Sequence, residues 1–223
     1  MAGRVFGVDE AGKGPVLGSM FAAAVYADPA ALSDGVADSK RLSPPARERI
    51  DAELRASDDI VVGVACVPPA RIDDPETDMN TLTVEAHADA LATMVEGVPP
   101  DALDGGLAGY VDAGETNERR FGERVAARVD AALAVTAEHR ADDTYPVVSA
   151  ASVVAKVARD AHVAALAETY GDVGSGYPGD PTTRSFLREY VRERGELPDC
   201  ARASWATCAD VLAAAEQSSL DSF

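Results

Sequence analysis

Lysine is scarce in this 223-residue chain: only Lys13, Lys40 and Lys156 occur, and arginine carries every other basic position. The three cysteines, Cys66, Cys200 and Cys208, form neither a CxxC pair nor an even set, which excludes a disulfide framework and a zinc ribbon and reads as buried thiols. No uncharged apolar run approaches the ~20 residues of a bilayer span, and Met1-Ala2-Gly3-Arg4 leads into a strand without the apolar segment of a secretory signal. A cytoplasmic protein without a membrane partner is the simplest reading. His87, His139 and His162 show no HExxH or other ligand spacing and are expected to be solvated or locally bonded.

Positive charge is also short. Asp and Glu number 38 against 20 Lys and Arg, a formal net charge of −18, which on its own disfavours binding to nucleic acid at modest salt. The acids are scattered through the chain, lysine is rare and large aromatics are few, a pattern that fits a surface adapted to molar salt. At that ionic strength the Debye length shrinks to ~3 Å, so global repulsion is screened and short-range contacts decide binding.

What the chain does have is 47% hydrophobic content, enough to bury a sizeable core. Strand-like runs fall at Val5–Val8, Met20–Tyr26, Ile60–Val67, Leu107–Val111 and Ala132–Thr136. Helical patterns run from Pro44 to about Ala56, from Asn80 or Thr81 to Val95 and from Asn117 to Val129. Interleaved strands and helices predict an α/β layered domain. The short glycine turn between the first two strands predicts an antiparallel hairpin, hence a mixed sheet. From Val147 the pattern is helical: Val147–Tyr170, then Thr182–Arg194 behind an Asp180-Pro181 cap, then Ala203–Glu216.

The densest chemistry lies in Val5-Phe6-Gly7-Val8-Asp9-Glu10-Ala11-Gly12-Lys13-Gly14-Pro15. A buried strand delivers two adjacent carboxylates, oxygen ligands for a hard divalent cation, and then a turn whose glycines admit a substrate close to the backbone. Lys13 adds a point charge for phosphate. A Walker A loop is excluded, since Lys13 is followed by Gly14-Pro15 rather than Ser or Thr. Successive strand side chains alternate faces, so Asp9 and Glu10 are expected to need a strand end or bulge to share a pocket.

The segments DEAGKGP, DSKRLS, YVDA, ADDTYPVVSAASVVAKVARD and GSGYPGDP, in this order, resemble the signature blocks of ribonuclease HII of the archaeal type, and the composition points to a halophile. The resemblance implies a ribonuclease H-like α/β fold: a mixed central sheet flanked by helices, residues 1–170, with a C-terminal helical extension, residues 171–223. It implies an endonuclease that leaves 5′-phosphate and 3′-hydroxyl ends, cutting the RNA strand of RNA/DNA hybrids and cutting 5′ of single ribonucleotides in duplex DNA. Another metal nuclease of the same fold, without this junction specificity, is the alternative.

Carried over residue by residue, the resemblance implies catalytic and metal-binding roles for Asp9, Glu10, Asp112 and Asp142, with Asp143 competing for the last. Several ionised carboxylates share one pocket only if cations neutralise them, and oxygen-only ligation suits Mn2+ or Mg2+, two ions about 4 Å apart. Gly12, Lys13, Gly14 and Tyr177 would recognise the ribose 2′-hydroxyl, the group that separates RNA from DNA. Lys13 stands where the family usually has arginine, which keeps the charge and loses a bidentate fork. Lys40 and Lys156, with Ser149 or Ser152, would hold flanking phosphates, and Arg184, Arg188 and Arg192 at helical spacing would line the duplex. Trp205 reads as a hydrophobic anchor for the last helix. The expected partners are RNA/DNA hybrid and ribonucleotide-containing duplex DNA, with Gln217–Phe223 a candidate segment for a sliding clamp, and the expected state is a monomer.

Overall fold

A computed structural model describes residues 3–33, 35–36 and 42–220, with side chains to 217. Lys40 and the end of the candidate clamp segment lie outside the described residues. Among the described residues five strands form one sheet in the order β3-β2-β1-β4-β5, comprising β1 Val5–Ala11, β2 Met20–Ala27, β3 Val61–Val67, β4 Leu107–Asp112 and β5 Leu133–Glu138. The sheet is mixed, as expected: β1 pairs antiparallel with β2 and parallel with β4, which pairs parallel with β5. Around the strands run α1 Pro44–Ala56, α2 Pro69–Ile72, α3 Met79–Gly97, α4 Pro100–Leu103, α5 Glu118–Ala126, α6 Pro146–Tyr170, α7 Pro181–Arg194 and α8 Ala206–Leu220.

The chain divides into two compact units, each discontinuous in sequence. The first, residues 1–11, 21–66 and 79–158, holds the sheet. Its core on one side is the start of α6, where every residue from Val147 to Ala155 is buried, packed with Ala23, Val25 and Ala27 of β2 and Ile50 and Leu54 of α1. A helix apolar all round belongs inside. Small residues let the layers close tightly, and at Gly7 even a Cβ would collide with the Val147 and Val148 backbone. A Cβ at Gly63 of β3 would likewise strike the backbone of Ala90 and Met94 of α3. Glycine is therefore required at both positions by close approach rather than by backbone angle.

The second unit, residues 12–20, 67–78 and 159–223, holds the glycine turn, the loop before α7, and α7 and α8. Its core is Val16, Leu17, Val173, Leu187, Val191, Cys200, Ala201, Cys208 and Val211. The Asp180-Pro181 start of α7 is as expected, with the Asp180 carboxylate accepting from the Thr182 N–H at 3.0 Å. Helix α8 starts at Ala206 rather than Ala203, because Asp73 accepts from the N–H groups of Ala203 and Ser204, at 2.7 and 2.9 Å, and holds them in a turn. Cys200 and Cys208 are buried as expected, whereas Cys66 is exposed, so that part of the expectation is corrected.

Candidate active site

Strand β1 runs regularly to Ala11, with Asp9 opposite Ala23, Glu10 opposite Ala22 and Ala11 opposite Phe21. The expected bulge is absent from this pairing. Instead the two carboxylates leave opposite faces of the sheet, as the two-residue period demands. Asp9 follows Gly7 on the face covered by α6, and the Ser152 hydroxyl of that helix hydrogen-bonds to it. Glu10 lies on the α3 face, where its Oε2 is 2.7 Å from Nε2 of His87.

Two further carboxylates come from the parallel half of the sheet. Asp112 is the last residue of β4, one step beyond the Val8–Val111 pair, and accepts from the Ala141 N–H at 2.9 Å. Asp142 follows in a 3-10 turn, Ala141–Asp143, entered through Arg140 in the left-handed region at φ 59°. The turn separates the two candidates for the fourth position. Asp142 is buried and acts electrostatically on Asp112, while Asp143 is half-exposed and paired to Arg140 at 2.7 Å. Tyr145 pins the entry by donating to Glu138 at 2.8 Å and stacking on Tyr110, ring centroids 3.6 Å apart.

These side chains perturb one another. Burial, then Glu10 and Asp112, push the Asp9 carboxyl well above the usual carboxylate range. Asp112 is also raised, by burial first, offset by the Ala141 hydrogen bond, with Glu10 and Asp142 adding to the rise. Among the described residues no three His, Cys, Asp or Glu side chains converge closely enough to hold one metal ion as they stand. The donor set is nonetheless all oxygen, and the electrostatic strain on Asp9 is of the kind a divalent cation relieves, so these residues fit a hard cation.

His87 is the residue the sequence reading placed wrongly. It is neither solvated nor locally bonded but fully buried (0% exposed), edge-on to Phe121 at 5.1 Å and bonded to Glu10 from 77 positions away. Its Nδ1 has no hydrogen-bond partner among the described residues, so Nε2–H is the ring group that donates to the Glu10 carboxylate. No motif spacing marks this pair. The only hint is that His87 lies among the apolar positions Leu82, Val84, Ala86, Ala88, Ala90 and Leu91 of one helix.

Lys156 joins the same unit by donating from Nζ to Ser152 Oγ at 2.8 Å, so lysine, serine and Asp9 form a relay along one face of α6. Ser149 is withdrawn from the phosphate-binding candidates, since its buried hydroxyl donates to the Val36 carbonyl at 2.5 Å. The second unit brings Gly12, Lys13 and Gly14 together with Tyr177. A Cβ on Gly14 would lie 3.8 Å from the tyrosine ring, and Gly12, at φ +88°, leaves no room for a Cβ against the Ser19 carbonyl. Tyr177 is the one exposed large hydrophobic side chain among the described residues, at 40%, and the Arg159 guanidinium lies 5.7 Å from its ring centroid. Arg184, Arg188 and Arg192 are all exposed on α7. Trp205 does precede α8, but its ring faces the Arg202 guanidinium at 5.1 Å rather than only apolar neighbours.

The family model described as Ribonuclease HII matches residues 6–208. The chain belongs to the ribonuclease HII family. It is thus an endonuclease of the ribonuclease H type. A ribonuclease HII of Halobacterium salinarum is 68% identical over 219 residues, covering 98% of this chain and 99% of the relative, so the expected archaeal, halophile-like character is found. The crystal structure of ribonuclease H2 from Pyrococcus horikoshii superposes with a TM-score of 0.85 at 34% identity, covering 96% of this chain and all of that one. The ribonuclease HII of Archaeoglobus fulgidus, solved in a complex with PCNA, gives 0.78 at 35% identity, covering 92% and 95% of the two chains. A Bst ribonuclease HIII solved with Mn2+ shares the fold, with TM-score 0.81 at 23% identity, covering 97% of this chain and 71% of that one. The ribonuclease H-like mixed sheet is therefore the fold of this ribonuclease HII family member.

Proposed function

We propose that the protein cuts the RNA strand of RNA/DNA hybrids and cuts on the 5′ side of a single ribonucleotide within duplex DNA. The observation that carries this reading is Asp9, buried against Glu10 and Asp112, where burial first and these two carboxylates second raise its carboxyl above the usual range. Asp9, Glu10, Asp112 and Asp142 would hold two divalent cations, Mn2+ or Mg2+. When bound, such ions supply Lewis acidity at the scissile phosphodiester and offset charge on the departing 3′ oxygen.

The chain's own groups set up that chemistry. Ala141 N–H fixes Asp112, His87 fixes Glu10 and the Ser152 hydroxyl fixes Asp9, so these three carboxylates are each aimed by a hydrogen-bond donor. Lys156 and Lys40 would grip phosphates beside the cut, and the turn Gly12–Gly14, which follows the carboxylate strand in the chain, would read the 2′-hydroxyl together with Tyr177. The exposed arginines of α7 would track the duplex backbone. A sliding clamp remains a proposed partner on the precedent of the Archaeoglobus complex. Among the described residues no helix is long and apolar enough to cross a membrane, and a cytoplasmic monomer remains our proposal.

The test is cleavage of a DNA duplex bearing one ribonucleotide, in molar KCl with Mn2+ or Mg2+, beside a continuous hybrid and an all-DNA duplex. A single metal-dependent cut 5′ of the ribonucleotide is expected. Cleavage of the hybrid without cleavage at the lone ribonucleotide would replace the proposal with a nuclease lacking junction specificity.

A further inference from the structure

Arg202 is the largest fully buried side chain among the described residues (0% exposed), and no role in the reaction has been given to it. Among the described residues its guanidinium makes no short ion pair. All its nitrogens donate to main-chain carbonyls of one loop: Nε to Gly18 at 2.9 Å, Nη1 to Lys13 at 3.0 Å and Nη2 to Gly12 at 2.6 Å. Its own N–H adds a bond to the Val16 carbonyl at 2.8 Å. The planar fork of arginine suits such a set of fixed acceptors, and a lysine ammonium cannot reproduce it. Trp205 covers the fork from one side, its centroid 5.1 Å away, and Asp73 grips the adjacent Ala203-Ser204 turn through both backbone N–H groups.

The consequence for the glycine turn follows from peptide geometry. Among the described residues no peptide bond is cis, and in a trans peptide the carbonyl of one residue and the N–H of the next point in opposite directions. With the Gly12 and Lys13 carbonyls drawn onto the guanidinium, the N–H groups of Lys13 and Gly14 are turned to the other side of the turn. Two successive N–H groups on one face form a small site for an electronegative oxygen. A Cβ at Gly14 would touch the Tyr177 ring, so Gly14 lies beside the tyrosine.

We infer that Arg202 is the positioning residue for ribose recognition: by holding the carbonyls of Gly12 and Lys13, it aims the Lys13 and Gly14 N–H groups at the 2′-hydroxyl. This rests on the proposed reading of the turn. Arg202 touches no substrate and acts only through the turn's main chain. Its loss should therefore lower discrimination between ribose and deoxyribose while leaving general duplex affinity in place.

The experiment measures equilibrium binding in molar KCl with EDTA, so that no turnover intervenes, to a DNA duplex with one ribonucleotide and to the same duplex without it. Wild type, Arg202→Lys, Arg202→Met and Arg202→Ala are compared, with folding checked by thermal melting. Wild type should prefer the ribonucleotide duplex. Arg202→Met should lose about tenfold or more of that preference, the scale of one charge-assisted hydrogen bond, with all-DNA affinity unchanged, and Arg202→Lys should fall between. Guanidinium ion at millimolar concentration should restore preference to Arg202→Ala. An unchanged preference in a folded variant would overturn the inference, as would loss of folding in Arg202→Lys, which would make the residue a fold anchor. A wild type without preference would instead overturn the reading of the turn itself.

Discussion

Asp9 is buried among groups of its own sign, whereas Arg202 is buried among carbonyl oxygens of the opposite polarity. Both are costly to place away from water, yet only one is satisfied by the protein alone. The carboxylate cluster collects Asp9, Glu10, Asp112 and Asp142 from two strands and a turn, and the hydrogen bonds to Asp9 and Asp112 leave both carboxyls raised. The Arg202 guanidinium has an acceptor on every nitrogen, and burial lowers its pKa only to about 10, so it stays charged at neutral pH. The contrast separates a region still short of positive charge from a region already hydrogen-bonded, and in the proposed function cations would complete the first while the second would present a prearranged turn.

The largest test of that contrast is Asp9→Asn. The raised carboxyl keeps its proton in the folded metal-free chain at pH values where the unfolded chain, near 4, has lost it. Stability of the metal-free protein must then fall as pH rises from about 4 toward the folded pKa, because the folded state binds the extra proton. Asn removes that slope. We expect Asp9→Asn to cut less than wild type by about 10³-fold or more, yet to melt higher in EDTA at neutral pH, by about 2–4 °C per kcal/mol of relieved repulsion. Added Mn2+ should reverse the order of the two melting temperatures, since binding to the folded state alone stabilises it. A variant that melts lower than wild type in EDTA would show that the cluster is not strained.

Next in size is the donor to Glu10. His87→Leu removes the Nε2–H while leaving a buried apolar side chain, and should raise the Mn2+ concentration for half-maximal cleavage by about 10- to 100-fold, the usual effect of a lost outer partner of a metal ligand. His87→Gln retains an N–H donor and should recover most of the loss. Equal Mn2+ dependence in all three proteins would remove His87 from the site.

Why was one region more legible than the other? Local rules sufficed where a cause lies within a few residues of its effect: Asp180-Pro181 opens α7, Asn117 caps α5, and the glycine turn folds β1 against β2. They also mark Asp9 and Glu10 as neighbours in a strand. They fail for Glu10 and His87, 77 positions apart, and for Arg202 and Gly12, 190 apart. Those pairs are created by packing of α3 on the sheet and of the 198–205 segment on the glycine turn, and single-residue spacing carries no trace of either. Face alternation predicts that Asp9 and Glu10 diverge, with a strand end or a bulge as the expected remedy. The chain instead meets each carboxylate with a helix on its own face, α6 for Asp9 and α3 for Glu10.

The smallest expected effect probes the satisfied region. The Asp180 carboxylate accepts from Ser175 N–H at 2.6 Å, Ser175 Oγ at 2.7 Å and Thr182 N–H at 3.0 Å, and the Ser175 and Thr182 bonds hold its pKa down to about 2. It ties the loop carrying Tyr177 to the start of α7. A depressed folded pKa means that this contribution is fully present above the unfolded value near 4 and is lost as pH falls toward 2. Asp180→Asn should therefore melt lower than wild type by a constant few degrees at most between pH 5 and 8, with the difference closing below pH 4. Because the carboxylate is only half-buried, molar KCl screens part of its charge while leaving the hydrogen-bond geometry, so the difference should shrink with salt without vanishing. A difference that widened on acidification would mean that Asp180 stabilises the loop as a neutral acid, and the contrast between a strained cluster and a satisfied one would fail at this residue.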